Sequence, residues 1–143
     1  MRLAELFPEF VRLDIRRETG SFVRPGVDPL RKDLRDEDFE SREHDALYYV
    51  PVKALAEADG IWFTNPTWAL KNPGQDGCEF GASIQINFKD RQKMPAEYGS
   101  YAYWAVSGSG YEDLTITPSI LCRTGIGNID WHGFITRGEI ITV

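Results

Sequence analysis

The last thirteen residues, WHGFITRGEIITV at positions 131–143, decide the fold class of this chain. Two apolar runs flank the dipeptide Arg137-Gly138, a pattern that is typical of a β-hairpin. A type I′ or related turn needs positive φ, and Gly138 tolerates that conformation without a steric penalty. Because apolar residues fall on both faces of the strands, we expect a central hairpin that is covered on both sides.

Five further short runs of strand-forming residues precede this hairpin, with glycine and proline between them. We predict strands at residues 47–50, 61–64, 82–88, 101–106 and 114–117. The glycine-rich segments 107–110 and 125–128 are predicted turns. Short strands separated by such turns are typical of an antiparallel sandwich or a partly open barrel. The chain is therefore predicted to be mainly β.

Helical signals are few. Residues 51–58 begin with proline, contain three alanines and precede Gly60, which predicts a short helix. Residues 3–10 predict one short helix or turn, because Pro8 interrupts their apolar spacing. The segment 65–77 carries two prolines and two glycines and is predicted to be a long loop.

Domain organisation follows from length and a shift in composition. A chain of 143 residues is the usual size of one domain with one core, so we expect a single domain over residues 1–143. Residues 47–143 hold the predicted β core. The N-terminal segment 1–46 contains a stretch, 16–45, that is dense in both charges and poor in apolar residues. We expect it to be an extended arm, either solvated or ordered by contact with a partner chain or a second copy.

Charge and hydropathy exclude several classes of function. The net charge of −6 repels nucleic-acid phosphates and anionic lipid, so we expect neither a nucleic acid nor a membrane as partner. No apolar run approaches the roughly 20 residues of a membrane-spanning helix, and Glu5 interrupts the N-terminus where a signal peptide needs an apolar stretch. We expect a cytoplasmic protein.

Metal and cofactor signals are weak. The chain has two cysteines and two histidines, and they do not form the close pairs that structural zinc sites use; they are Cys78, Cys122, His44 and His132. Neither glycine-rich segment precedes a helix with a phosphate-binding lysine. We therefore predict no metal and no cofactor, and we interpret both cysteines as reduced, packed thiols.

His132 is the residue whose chemistry suits catalysis best, because histidine can act as a general base near neutral pH. A Ser-His-Asp arrangement can be assembled from Ser119, His132 and Asp130, but the chain has no G-x-S-x-G elbow. In an alternating strand His132 shares its face with Phe134, a packing residue. We favour a buried, hydrogen-bonded structural histidine and treat the three residues as weak catalytic candidates.

Four aromatic residues close to the predicted strand 101–106 could form a ligand-stacking surface. They are Tyr98, Tyr101, Tyr103 and Trp104. Half-buried aromatic residues are also ordinary stabilisers of antiparallel sheets, and we favour that interpretation.

Three C-terminal motifs resemble those of a known family. WAVSG at 104–108, DLTITPSI at 113–120 and WHGFI at 131–135 occur in the order found in a family of small uncharacterised bacteriophage and prophage proteins. Some members carry the label "ammonia monooxygenase", which we disregard. The resemblance covers residues 49–143, so the stretch 16–45 is an addition to the family pattern.

The chain departs from this family at its cysteines. The family has a C-P-x-C pair after the strand that matches 61–63 and a cysteine just before W-H-G-F, which implies a metal site. Here Asn65 and Trp68 stand at the first place, and residues 128–130 at the second contain no cysteine. The resemblance therefore implies a member that has lost its metal, with Trp68 filling the space.

The resemblance and the missing ligands together lead to three functional hypotheses. The first is a non-enzymatic structural or interaction protein of a bacteriophage, such as a capsid-decorating component of the virion. The second is a phage accessory protein that binds and inhibits a host factor. The third is a small hydrolase that uses His132.

Overall fold

The computed structural model describes residues 1–99, 101–123 and 129–143. The chain forms two compact units, one made of Met1–Leu13 with Tyr49–Val143 and the other of Asp14–Tyr48. Two four-stranded antiparallel sheets contain all eight strands of the described residues. The prediction of a mainly β chain is confirmed, and the sandwich, not the barrel, is the architecture.

The first sheet has the strand order β2-β1-β3-β4. Its strands are β1 (Glu9–Val23), β2 (Phe39–Val52), β3 (Gly60–Thr64) and β4 (Ser83–Asn87). The start of β1 pairs with β3, with Phe10 opposite Ile61, and β3 pairs with β4, with Ile61 opposite Ile86. Strands β1 and β2 are long enough to continue from the first unit into the second.

The second sheet has the order β5-β6-β7-β8, so consecutive strands are neighbours. Its strands are β5 (Ala105–Ser107), β6 (Thr115–Cys122), β7 (Trp131–Thr136) and β8 (Glu139–Thr142). The register of β6 against β7 shifts between Ile116 and Ile120, where an irregularity interrupts the ladder.

One hydrophobic core lies between the inner faces of the two sheets. It combines side chains from both sheets with Leu3 and Leu6, which belong to an N-terminal 3-10 helix. The fully buried strand residues of this core are Phe10, Ile61, Phe63, Ile86, Ile116, Ile120 and Ile135. Burial of this apolar surface is the main stabilising term of the first unit.

The closing hairpin forms as predicted at its turn. Arg137 has φ of 49° and Gly138 has φ of 76°, the pair of positive values that a type I′ turn requires. Its burial differs from the prediction. Residues of β7 alternate between buried and exposed, so the strand is covered on one face only and the prediction of a hairpin covered on both sides is wrong.

The helical predictions need two corrections. Where a helix was predicted at 51–58, β2 runs on to Val52 and only the 3-10 helix Leu55–Glu57 follows. Where a loop was predicted at 65–77, the helix α1 (Pro66–Lys71) forms, capped by Asn65 with proline in its first turn. The remaining 3-10 helices are Leu3–Leu6, Asp36–Asp38, Gly77–Phe80 and Ala96–Tyr98, the first of which confirms the predicted short N-terminal helix.

Three strands differ by more than one residue from their predicted extents. The strand predicted at 47–50 is the end of the longer β2, Phe39–Val52. The strand predicted at 101–106 begins only at Ala105, preceded by a single bridge between Trp104 and Phe88. The strand predicted at 114–117 runs on to Cys122. The predicted turn at 107–110 is present, whereas the one at 125–128 lies outside the described residues.

Candidate functional site

The second unit, which we call the arm hairpin (Asp14–Tyr48), contains the whole of the predicted arm 16–45. Its two strands are the distal part of β1 and the proximal part of β2, joined by a loop with one 3-10 helix, Asp36–Asp38. Every residue of the arm hairpin is exposed or half-buried. It is therefore a two-stranded ribbon without a core of its own.

Ion pairs connect the two strands of the ribbon and its loop. Arg17 lies 3.7 Å from Glu43 and 3.4 Å from Asp45, and Arg24 lies 3.6 Å from Glu40. In the loop, Arg31 bonds to Asp33 and Asp38 at 2.7 Å each. Exposed pairs of this kind contribute about 0–1 kcal/mol each.

Aromatic rings on the ribbon are stacked against cations. The Arg42 guanidinium lies 4.2 Å from the centre of the Phe22 ring, which also meets His44 edge-on at 5.1 Å. Arg16 lies 4.4 Å from the centre of the Tyr48 ring. The Tyr48 hydroxyl donates a 2.6 Å hydrogen bond to Glu18, and this bond raises the pKa of Tyr48.

These contacts do not amount to a stable independent fold. An isolated two-stranded hairpin is marginally stable in water, because ordering each residue costs about 1–2 kcal/mol of backbone entropy that burial must offset. Cation–π contacts at exposed sites add only about 0.5–1 kcal/mol. The arm hairpin would thus be stabilised by any surface that covers one of its faces.

A shallow cavity of about 400 Å³ lies on the arm hairpin beside the start of β2. Its lining includes Asp36 and Glu40 together with Ser21, Phe39 and Ser41. The two carboxylates and two hydroxyls favour a basic side chain as occupant.

The structure brings Ser119 and His132 of the predicted catalytic set together. His132 Nε2 lies 3.2 Å from Ser119 Oγ, across the β6–β7 ladder. His132 is exposed on the outer face of the sheet, so the prediction of a buried structural histidine is wrong. Asp130 contributes its main-chain carbonyl to a 2.8 Å hydrogen bond from Thr67 Oγ1.

Four residues form a hydrogen-bonded clasp, which we define as Asn65, Thr67, Ile129 and Asp130. Asn65 is 1% exposed; its Oδ1 accepts from the amide of Thr67 at 2.9 Å, and its Nδ2 donates to the carbonyl oxygen of Ile129 at 2.5 Å. Thr67 Oγ1 adds a second bond, to the carbonyl oxygen of Asp130 at 2.8 Å. Polar side chains therefore join the start of α1 to the segment before β7.

Trp68 stacks on Phe80 with the ring centres 5.7 Å apart, and both rings are at least partly exposed. The resemblance implied that Trp68 fills the space of a lost metal. In the structure Asn65 is the buried residue of the two, whereas Trp68 is half-buried and stacked on Phe80.

Both cysteines are free and half-buried. Burial raises the pKa of each thiol, with Asp76 adding to the effect at Cys78 and Asp130 at Cys122. Thiols in such surroundings stay protonated and are poor nucleophiles and metal ligands. Within residues 1–99, 101–123 and 129–143, no group of three or more His, Cys, Asp or Glu side chains is arranged to hold a metal ion.

The tyrosine-rich cluster does not form one surface on a strand. Tyr98 and Tyr101 are 39% and 42% exposed. The Tyr103 hydroxyl instead accepts the Met94 amide at 3.0 Å, and Trp104 Nε1 donates to the Ser119 carbonyl at 3.3 Å. Tyr103 and Trp104 therefore have structural roles: Tyr103 holds the loop at Met94, and Trp104 holds strand β6 at Ser119.

The turn at 107–110 is closed by Asp113. Its carboxylate accepts the amides of Ser109 and Gly110 at 2.9 Å and the Ser109 hydroxyl at 2.8 Å. These bonds lower the pKa of Asp113. The amides that a phosphate loop would offer to a ligand are occupied, which agrees with its interpretation as a turn.

No helix in the described ranges is long and apolar enough to cross a membrane. No family model, curated protein or solved structure matches the chain.

Proposed function

We propose that this chain is a non-enzymatic interaction protein whose arm hairpin binds a partner chain. The observation that carries the proposal is that all 35 residues from Asp14 to Tyr48 form a compact unit in which none is buried. A ribbon of this kind gains most of its stability when a second surface covers it.

The charges of the arm hairpin favour a protein partner over other classes. Its basic and acidic side chains alternate and pair with each other, so it has no basic face for phosphates. The acidic cavity beside Glu40 suits a lysine or arginine of the partner. Stacked pairs such as Arg42 on Phe22 are side chains of the type enriched at binding hot spots.

The resemblance of residues 49–143 to a phage protein family gives the setting of the proposal. We propose a structural role in a bacteriophage, with the virion as the assembly that the arm hairpin joins. In that setting the sandwich acts as a rigid carrier, and the partner is either another virion protein or a second copy of this chain.

The test is to replace residues 16–45 with an Asn-Gly turn and to measure the thermal midpoint and the mass in solution. We expect the shortened chain to fold, because the core contains no residue from 14–48. We also expect it to lose assembly and to be absent from purified virions analysed by mass spectrometry. A control variant, Leu121→Ser, changes an exposed residue of the sandwich and should assemble normally.

The Ser119–His132 hydrogen bond supports one other candidate function, a small hydrolase. His132 would be the base and Ser119 the nucleophile, since their 3.2 Å separation is within reach for proton transfer. Hydrolysis of an activated ester by the wild type, abolished in both Ser119→Ala and His132→Asn, would favour the enzyme. Equal rates in all three proteins would dismiss it.

A further inference from the structure

A cleft of about 370 Å³ lies within the first unit, and its lining contains no residue of the arm hairpin and neither Ser119 nor His132. One wall is the segment from Ala54 to Ala56 with Arg91 beside it, and the other is the segment from Val106 to Ser109. Its volume is in the range of clefts that hold small molecules.

Arg91 is held in place by main-chain carbonyls. Its Nη1 donates to Leu55 at 3.0 Å and to Ala58 through a shorter bond. Within the described residues, both hydrogen bonds that this guanidinium donates therefore go to neutral carbonyl oxygens. The Arg91 side chain is half-buried, and these two carbonyl groups fix its position without neutralising its charge. The N–H groups of Nε and Nη2 remain available to donate to a ligand.

The opposite wall is also rigid. The Asp113 carboxylate fixes Ser109 and Gly110 by the hydrogen bonds described above, and Ser107 ends strand β5. Leu55 on one wall and Val106 on the other add apolar surface. The cleft thus combines one oriented guanidinium with an apolar lining and serine hydroxyls.

We propose that this cleft binds a small organic monocarboxylate, with its carboxylate on Arg91 and its apolar part against Leu55 and Val106. A guanidinium offers parallel N–H donors that match the two oxygens of a carboxylate. The apolar lining selects a ligand with a short hydrocarbon tail over an inorganic ion.

Inorganic phosphate can also accept two hydrogen bonds from a guanidinium, but it fits this cleft less well. The Asp113 carboxylate, which is hydrogen-bonded to the lining residue Ser109, and the net charge of −6 both repel a dianion more strongly than a monoanion. Butyrate should consequently bind more tightly than either acetate or inorganic phosphate.

The experiment is an NMR titration of the full chain with butyrate, acetate and inorganic phosphate as separate probes. We expect butyrate to shift the Arg91 Nε–Hε signal and the amides of residues 107–109 along one saturable curve. Arg91→Gln should weaken binding at least about tenfold, since a charged hydrogen bond is lost. Lys93→Gln removes the same charge nearby without lining the cleft and should leave binding unchanged.

A second variant covers the case in which Arg91→Gln does not fold. Ala56 is exposed and lines the cleft, so Ala56→Trp fills it without touching the guanidinium bonds, and it should also weaken butyrate binding at least about tenfold. Shifts that do not saturate, or butyrate binding that survives Ala56→Trp, would overturn the proposal. Tighter binding of phosphate than butyrate would overturn the assignment to a monocarboxylate.

Discussion

Asn65 Nδ2 donates a 2.5 Å hydrogen bond to the carbonyl oxygen of Ile129, 64 residues away along the chain. Asn65 follows β3 in the first sheet, and Ile129 comes shortly before β7 in the second. The bond therefore links the segment after β3 to the segment before β7, and its Asn65 end is buried. Together with the bond from Thr67 Oγ1 to the Asp130 carbonyl oxygen, it forms a clasp between the start of α1 and the segment before β7.

Replacing Asn65 with alanine should destabilise the sandwich by about 2–4 kcal/mol. The change removes the cap of α1, which costs about 0.5–2 kcal/mol, and leaves the Ile129 carbonyl without its partner, which costs about 1–3 kcal/mol. Urea unfolding measures the loss. Gln75→Ala, an exposed change beyond α1, is the control and should stay within about 0.5 kcal/mol of the wild type.

Gly138→Ala should cost about 2 kcal/mol or more. Gly138 has φ of 76°, and a Cβ there would clash with the Glu112 carbonyl oxygen. Gly110 has no positive φ, and no atom lies within 4 Å of the place that an added Cβ would take, so Gly110→Ala should be close to neutral. Equal midpoints for the two variants in urea would show that the closing turn does not have this geometry.

His132→Ala should cost less than about 1 kcal/mol, because the ring is exposed and its hydrogen bond to Ser119 competes with water. Trp131→Ala, at the buried neighbouring position, should cost about 3–5 kcal/mol. The two unfolding curves compare the two faces of β7 directly. A large loss in His132→Ala would restore the buried structural histidine that the sequence predicts.

Acid should weaken the fold through two carboxylates. The hydrogen bond from Arg2 lowers the pKa of Glu139, and the Ser109 and Gly110 amides lower that of Asp113. Each carboxylate has a lower pKa in the folded chain than in the unfolded chain, where the pKa is near 4. It therefore stabilises the fold fully above the unfolded-state pKa, and this stabilisation is lost as the pH falls through the folded-state pKa. The difference in urea midpoint between wild type and either Glu139→Gln or Asp113→Asn should shrink below about pH 4. A difference that stays constant from neutral to acid would contradict these assignments.

The β core could be predicted from sequence because its strands contain local signals. Two apolar runs on either side of the Arg137-Gly138 turn define β7 and β8 without long-range information, although they do not show which face is buried. The helix predicted at 51–58 failed for a long-range reason. Leu55 and Ala58 have the spacing of a helical face, but their carbonyls are taken by Arg91, 36 and 33 residues away.

The arm hairpin was visible as a charged stretch but not as a pair of strands. A ribbon with no buried face has no alternation of apolar and polar residues, which is the signal that identifies a strand. Helix α1 was missed although its signal was present, since Asn65 followed by Pro66 is an N-cap with proline at the first helical position. The Arg91 cleft could not be predicted from a local sequence motif, because its lining comes from three separate stretches of the chain, 54–56, 91 and 106–109.

Hydrogen–deuterium exchange tests the central claim, that the arm hairpin is stabilised by a partner chain. The comparison is between the isolated chain and the assembled particle, with the amides of β6 and β7 as the internal reference. We predict fast exchange over residues 14–48 in the isolated chain, strong slowing in the assembly, and unchanged exchange in β6 and β7. Arm amides that exchange as slowly in the isolated chain as those of β7, or at the same rate before and after assembly, would contradict the claim.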